Sequence, residues 1–304
     1  MQLERILTFV SVTACLLAPM AAAQEALYVQ HENIVYGEAD GVGLVMDVFT
    51  PRSDGNGLGI VDVVSGAWHS DRGKIRDHTR AQVFQILCNE GYTVFAVRPG
   101  SISKFSALEM IDHLNEGIRW VKGHADAYHI DPDRLALMGA SAGGHLACLA
   151  AVTATSEEST SNDEPSAIGS DVRAVAVFFP PTDFLDYGGH VVDARADDGF
   201  GKVVRRLAFP EGLREKSDLE VSQALKAISP AHLVTPQSPP FLLIHGDADP
   251  VVPLQQSQRM LDALKQAGVP AELIVKKGGG HPWLTMHEEV KVMSDWFNRQ
   301  LEAK

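Results

Sequence analysis

The feature that most constrains this chain is an alternation. Six short apolar runs, at 59–64, 92–97, 134–139, 172–179, 241–246 and 271–276, are separated by longer stretches whose apolar residues recur every three or four positions. The short runs are rich in Val, Ile and Phe and are apolar on both faces. Strands of that kind must be covered on both sides, as in a parallel sheet between helices. The longer stretches supply the covers. Leu108, Ile111, Leu114, Ile118 and Val121 form one helical stripe over 106–124, and 76–89, 142–153, 254–267 and 288–301 read as further helices, with Gly91 and Gly268 at expected C-terminal caps. Such repetition joins parallel strands by right-handed crossovers. "NIVYGE" and "GLVMDVF", joined by the turn "ADGVG", add an antiparallel start. The expected class is α/β: a mostly parallel central sheet of about eight strands with helices on both faces.

Two segments interrupt the alternation. Residues 155–171 are polar and acidic and read as a surface loop. Residues 182–232 read as short helices with no strand between them. An insertion just before a strand, on the side where such sheets bind ligands, is expected to act as a lid.

At the start of the chain, Arg5 precedes the apolar run "ILTFVSVTACLLA" and the small-residue stretch "PMAAAQ". This pattern predicts a signal peptide over 1–23, cut after Ala23, and a secreted or periplasmic domain over 24–304. The segment "VTAC" offers a second reading, a lipid anchor on Cys15. The formal net charge of −13 gives no electrostatic reason to bind nucleic acid or an anionic membrane. No later apolar run is long enough to span a bilayer, so no stable membrane insertion is expected once the leader is removed. Cys88 and Cys148 fall in helix-like stretches and read as buried apolar residues. No His/Cys cluster has zinc-ligand spacing, and neither a metal nor a cofactor is expected.

The chemistry is concentrated in "LMGASAGGHLA", residues 137–147. Gly139, Ser141 and Gly143 form G-x-S-x-G between an expected strand and an expected helix. A serine at such a turn is held in strained backbone with its hydroxyl exposed, and only small neighbours can crowd the corner. The helix that follows aims its N–H groups at the serine, placing that of Ala142 to hold an oxyanion. A serine hydroxyl is a poor nucleophile at neutral pH and needs a histidine base oriented by a carboxylate. In this class the order is Ser, then Asp or Glu, then His, each just past a strand. "FLLIHGDADPVVP" offers Asp247 and Asp249, and "ELIVKKGGGHPW" delivers His281 on a glycine-rich loop. Asp249 is preferred, because Asp247 follows Gly246 directly and suits a turn-bracing role. His145, one turn into the helix after Ser141, reads as a packing or helix-capping residue. His69 and His287 lie away from the strand ends.

These segments carry a family resemblance. "GASAGGHLA", "HGDADPVVP" and "GGGHPW", with "YGEADGVGLVMDVFTP" and "YHIDPDRLALMGASAGGHLA", resemble the α/β-hydrolase superfamily. More narrowly, they are similar to the secreted bacterial esterase/lipase group related to hormone-sensitive lipase and to acetyl-xylan and feruloyl esterases. The resemblance implies Ser141 as nucleophile, His281 as base and Asp249 as acid, working without a cofactor on small-molecule or carbohydrate esters. It also implies an oxyanion loop at "VVSGAW", where the backbone N–H groups of Gly66 and Ala67 join that of Ala142. Here the chain departs from the group's H-G-G-x-W pattern: Val64 stands in place of His and Ser65 in place of Gly. Trp68 fits two roles equally, a wall of the acyl pocket or a core tryptophan. Prolyl-oligopeptidase-like peptidases share the triad motifs, but they usually carry a propeller domain for which 24–304 leaves no room. Ester hydrolysis is therefore expected ahead of peptide or amide cleavage, and ahead of a catalytically silent binding protein.

Overall fold

A computed structural model describes residues 28–154, 168–197 and 199–302. The expected leader, Cys15 and most of the acidic stretch 155–171 lie outside the described residues. Eight strands form one sheet in the order β1-β2-β4-β3-β5-β6-β7-β8. The strands are β1 (Tyr28–Ala39), β2 (Val42–Pro51), β3 (Gly59–Val63), β4 (Thr93–Arg98), β5 (Leu135–Ala140), β6 (Ala174–Phe178), β7 (Phe241–Gly246) and β8 (Ala271–Lys276). β2 runs antiparallel to β1 and β4, and the remaining pairs are parallel. This is the α/β architecture that the alternation predicts.

Among the described residues nine α-helices flank the sheet: α1 (Arg72–Arg80), α2 (Val83–Asn89), α3 (Ala107–Gly123), α4 (Ala125–Tyr128), α5 (Ala142–Thr153), α6 (Gly199–Ala208), α7 (Asp218–Ala227), α8 (Gln255–Gln266) and α9 (Met286–Glu302), the last following β8. Pleating sends alternate strand residues to opposite faces, and each face builds its own core. Val61, Val63, Phe95 and Val97 pack with α3, α5 and α8 on one side. Ile60, Val94, Ala136 and Met138 pack with α1, α2 and α9 on the other. Each fully buried Val, Leu, Ile, Phe or Met side chain in these layers contributes about 1.5–3 kcal/mol.

Helix starts follow from local chemistry. Ser106 caps α3 in a reciprocal capping box with Glu109, and Ser217 does the same for α7 with Glu220. The stretch 76–89, expected as one helix, is two. The N–H of Ala81 still bonds Asp77 O, but Gln82 turns left-handed at φ +60°, and the chain restarts as α2. That break lets Val83, Phe84 and Leu87 turn onto the sheet. The run 271–276 is also less buried than its composition predicts. β8 closes the sheet with one neighbour, and Val275 remains exposed.

Cys88 and Cys148 are free and buried. Burial pushes the Cys88 thiol up to about 12 and the Cys148 thiol up further, so both are inert apolar fillers. No helix among the described residues is long and apolar enough to cross a membrane.

Candidate active site

Ser141 stands at the sharp turn between β5 and α5, at φ +54° and ψ −121°. That conformation is costly for a residue with a side chain and persists only where the surroundings fix it. They do: the Ser141 N–H donates to Phe178 O at 2.9 Å, and its carbonyl accepts from His145 N at 2.8 Å. The flanking glycines are required by space. A Cβ on Gly143 would lie 2.2 Å from Val63 O, and one on Gly139 would lie 2.5 Å from Gly143 O.

The two partners expected from sequence meet Ser141 here. His281 Nε2 is 2.9 Å from Ser141 Oγ, and His281 Nδ1 is 2.7 Å from Asp249 Oδ2. With Nδ1–H donating to Asp249, Nε2 is left to accept the serine proton. The Asp249 side chain is fully buried. Burial alone would raise its pKa, but bonds from His245, from His281 and from the N–H groups of Val252 and Val251 hold it well below the usual carboxylate range. His245 Nε2 lies 3.5 Å from Asp249 Oδ2 and donates at 2.9 Å to Val252 O, while Nδ1 pairs with Ser257 Oγ at 2.7 Å. It was not anticipated from sequence, although it ends an apolar strand one residue before Gly246.

Asp247 does something else. Its Oδ1 accepts from Gly278 N at 2.6 Å, and the N–H of Ala248 bonds Gly279 O. The two loops cross so closely that a Cβ on Gly246 would sit 2.1 Å from Gly279 O. The glycine-rich loop carrying His281 is therefore tied to the loop carrying Asp249.

The oxyanion loop differs from expectation at one residue. Gly66 N–H donates to His69 O at 2.9 Å, in a two-residue bridge returned by His69 N–H to Gly66 O. In this structure that N–H is engaged in shaping the loop. The N–H groups of Ala67 and Ala142 donate to no protein acceptor among the described residues. Ala67 and Trp68 both have positive φ, +47° and +58°, so the loop is wound left-handed without a glycine at either place. Val64 is buried in the sheet core. Ser65 braces the loop through its carbonyl, which accepts from Gly143 N at 3.0 Å; its hydroxyl is buried without a partner among the described residues.

Trp68 is both a core residue and a cavity wall. It is 5% exposed and lines the cavity, while its Nε1–H donates to His145 Nδ1 at 3.0 Å. His145 Nε2–H in turn donates to Ile228 O at 2.7 Å. Having spent its one proton on Ile228, the ring must remain neutral to accept from Trp68. Burial drives its pKa down to about 4, against a smaller upward pull from the Ile228 carbonyl. Because the folded value is depressed, the stability gained from a neutral His145 is complete above pH 6.5 and lost as pH falls towards 4. The loss amounts to roughly 3 kcal/mol. His145→Gln cannot titrate, so the stability gap between wild type and this variant should narrow over that window in urea titrations. A gap that stays constant from pH 7 to 4 refutes the assignment.

Ser141 and His281 open onto a cavity of about 860 Å³. Val83, Met138, Phe178 and Met286, from one core, line one side, and Phe200 and Val203 of α6 line the other. The insertion 182–232 thus reaches the site through α6. It is fastened at its base: Asp183 binds Arg259 at 2.8 Å and His232 at 2.9 Å, and Thr182 and Asp183 N–H groups both bond Gln256 Oε1. Leu284 is fully exposed and Val251 largely so at the cavity rim. Among the described residues, no group of three or more His, Cys, Asp or Glu could hold a metal ion.

An eight-stranded, mostly parallel sheet with a strained serine between β5 and α5 and a histidine after the last strand defines an α/β hydrolase. The sequence profile of the BD-FAE family matches residues 46–264, and the chain belongs to that family. A solved structure described as a truncated form of a carbohydrate esterase from gut microbiota superposes with a TM-score of 0.74 at 28% identity, covering 92% of this chain and 99% of that one. The isoprenylcysteine alpha-carbonyl methylesterase ICME of Arabidopsis thaliana is 28% identical over 268 residues, 85% of this chain and 58% of its own length. The esterase LipQ of Mycobacterium tuberculosis is 28% identical over 213 residues, 69% of this chain and 46% of its own. The chain spans about half the length of the curated relatives it matches.

Proposed function

We propose that this protein is a serine hydrolase of carboxylic esters. The observation that carries the reading is the unbroken chain from Ser141 Oγ through His281 to the buried side chain of Asp249, at 2.9 and 2.7 Å. Ser141 Oγ attacks the ester carbonyl carbon as its proton passes to His281 Nε2. The imidazolium is stabilised by ionised Asp249, and the carbonyl oxygen, now negative, is received by the N–H groups of Ala67 and Ala142. Collapse expels the alcohol, which takes the proton from His281, and leaves an acyl group on Ser141. Water, deprotonated by His281, then attacks the acyl carbon. The acid departs and the Ser141 hydroxyl is restored.

The relatives named as esterases and a methylesterase support an ester over an amide. The likeness to a carbohydrate esterase supports acylated sugars, with short acetyl or aromatic feruloyl groups, as the first substrates to try. Export of the protein is proposed on the residues 1–23 alone.

A p-nitrophenyl ester series from acetate to decanoate, run beside matched p-nitroanilides, tests the reading. The esters should turn over at least a hundredfold faster than the anilides, and a fluorophosphonate should label Ser141. Equal or faster anilide cleavage would make the protein an amidase. Failure to label Ser141 would leave a binding protein in a hydrolase shell.

A further inference from the structure

Asp62 sits where the fold has least use for a charge. It is the fourth residue of β3, in the interior of the sheet, and its side chain has no exposure. Acidic residues are depleted in strands, and a buried carboxylate is costly unless it is paired. The other fully buried strand carboxylate, Asp47, is met by both Arg72 and Arg98. Asp62 has a single recorded partner, His78, whose Nδ1 lies 2.6 Å from Oδ2; Oδ1 is buried without a partner among the described residues. The signal for this pair was present in the sequence as an acid inside the apolar run 59–64.

The pair belongs to the cavity as well as to the sheet. Asp62 is in register with Met138 on β5, three residues before Ser141. At about 3.3 Å per residue, it lies on the order of 10 Å from the nucleophile. His78 lines the same cavity as Ser141, among Ala81, Val83, Met138 and Met286. Its side chain is 12% exposed, its Nδ1 is occupied by Asp62, and its Nε2 has no recorded partner among the described residues. A buried carboxylate whose one partner is an imidazole favours the imidazolium, and then Nε2 carries a hydrogen to donate. Burial by itself would lower the His78 pKa, yet Asp62, followed by Asp77, raises it. Lys74 and Arg80 share this wall, but both face Asp77, at 3.9 and 3.1 Å.

We propose that His78, backed by Asp62, is a second anchoring position in the cavity, one that receives a hydrogen-bond acceptor oxygen on the substrate away from the ester carbonyl. The ligand class is an ester with one apolar half that ends in a carboxylate, ether or carbonyl oxygen. In taking the ligand to be an ester, this assignment rests on the esterase reading. His78 makes contact with the substrate and takes no part in bond-making.

The test uses three p-nitrophenyl esters of equal length: octanoate, 6-methoxyhexanoate and the heptanedioate half-ester. A parallel set of acetates carries the same groups on the alcohol. In one of the two series, wild type should favour an oxygen-bearing ester over its alkyl match at least tenfold in kcat/KM. Asp62→Val/His78→Leu replaces the buried pair with apolar residues, a change that folds generally tolerate. It should bring the ratio to about one, whereas His78→Gln, which keeps an N–H donor, should retain part of it. Fluorophosphonate labelling of Ser141 checks that each variant is folded. The same preferences are read without turnover by calorimetric binding of these esters to Ser141→Ala protein, with and without the double change. A preference in binding but no hydrolysis by wild type would keep the anchor and sink the esterase reading. A ratio that is the same in wild type and double variant, or near one in both series, overturns the anchor and makes the pair a packing feature of the sheet.

Discussion

Replacing Ser141 with Ala lowers kcat for p-nitrophenyl acetate by about 10⁴- to 10⁶-fold and abolishes fluorophosphonate labelling. The size of the loss follows from what is removed. Without Oγ there is no acyl-enzyme, and His281 has no proton to accept, so only the oxyanion donors and the cavity remain to assist water. The fold should be indifferent. The Ser141 side chain has one recorded hydrogen bond, to His281, and Ala suffers the same positive φ as Ser. The thermal midpoint should therefore change by no more than a few degrees. A variant that folds and keeps a tenth of wild-type kcat refutes the nucleophile assignment.

Asp249→Asn should cost about 10⁴-fold in kcat, while Asp247→Asn should cost less than about tenfold. The two acids are two residues apart, and geometry alone separates them. An Asn at 249 can offer its amide N–H to His281 Nδ1, which favours the tautomer that points Nε2–H at Ser141. The base is then already protonated on the side where it must accept. An Asn at 247 keeps an oxygen for Gly278 N–H and disturbs only the charge of a surface brace. Comparing kcat of the two variants at one pH decides the matter. Equal losses would mean that the loop junction, rather than the carboxylate on His281, sets the rate.

Much of this was legible in sequence because it depends on local pattern. The six apolar runs located their strands to within two residues at either end, since burial on both faces leaves little choice of residue, whereas exposed β1 begins five residues before the expected "NIVYGE". The positions of Ser141, Asp249 and His281 could be read because each follows a strand, and strand ends are marked by a change from apolar runs to glycine and acid. What could not be read depends on partners far along the chain. Gly66 looks like a free N–H donor until His69 is seen folding back onto it. The helix break at Gln82 carries no proline or glycine, and it arises from the need to place α2 on the sheet. The Trp68–His145 bond spans 77 residues, so neither side chain could announce it.

That bond and the one from His145 to Ile228 join three pieces of chain that sequence order keeps apart. Trp68 sits in the oxyanion loop, His145 in the helix behind the nucleophile, and Ile228 at the end of α7 in the insertion. The imidazole accepts from the Trp68 indole and donates to the main-chain carbonyl of Ile228, so the side chains at 68 and 145 depend on each other and on the backbone path of the insertion at 228. A transplanted 182–232 segment that shifts the main chain at 228 would leave the buried His145 Nε2–H without its acceptor. Segment libraries that keep the backbone position of residue 228 should therefore preserve the Trp68–His145 pair, and those that move it should disturb the loop carrying Trp68.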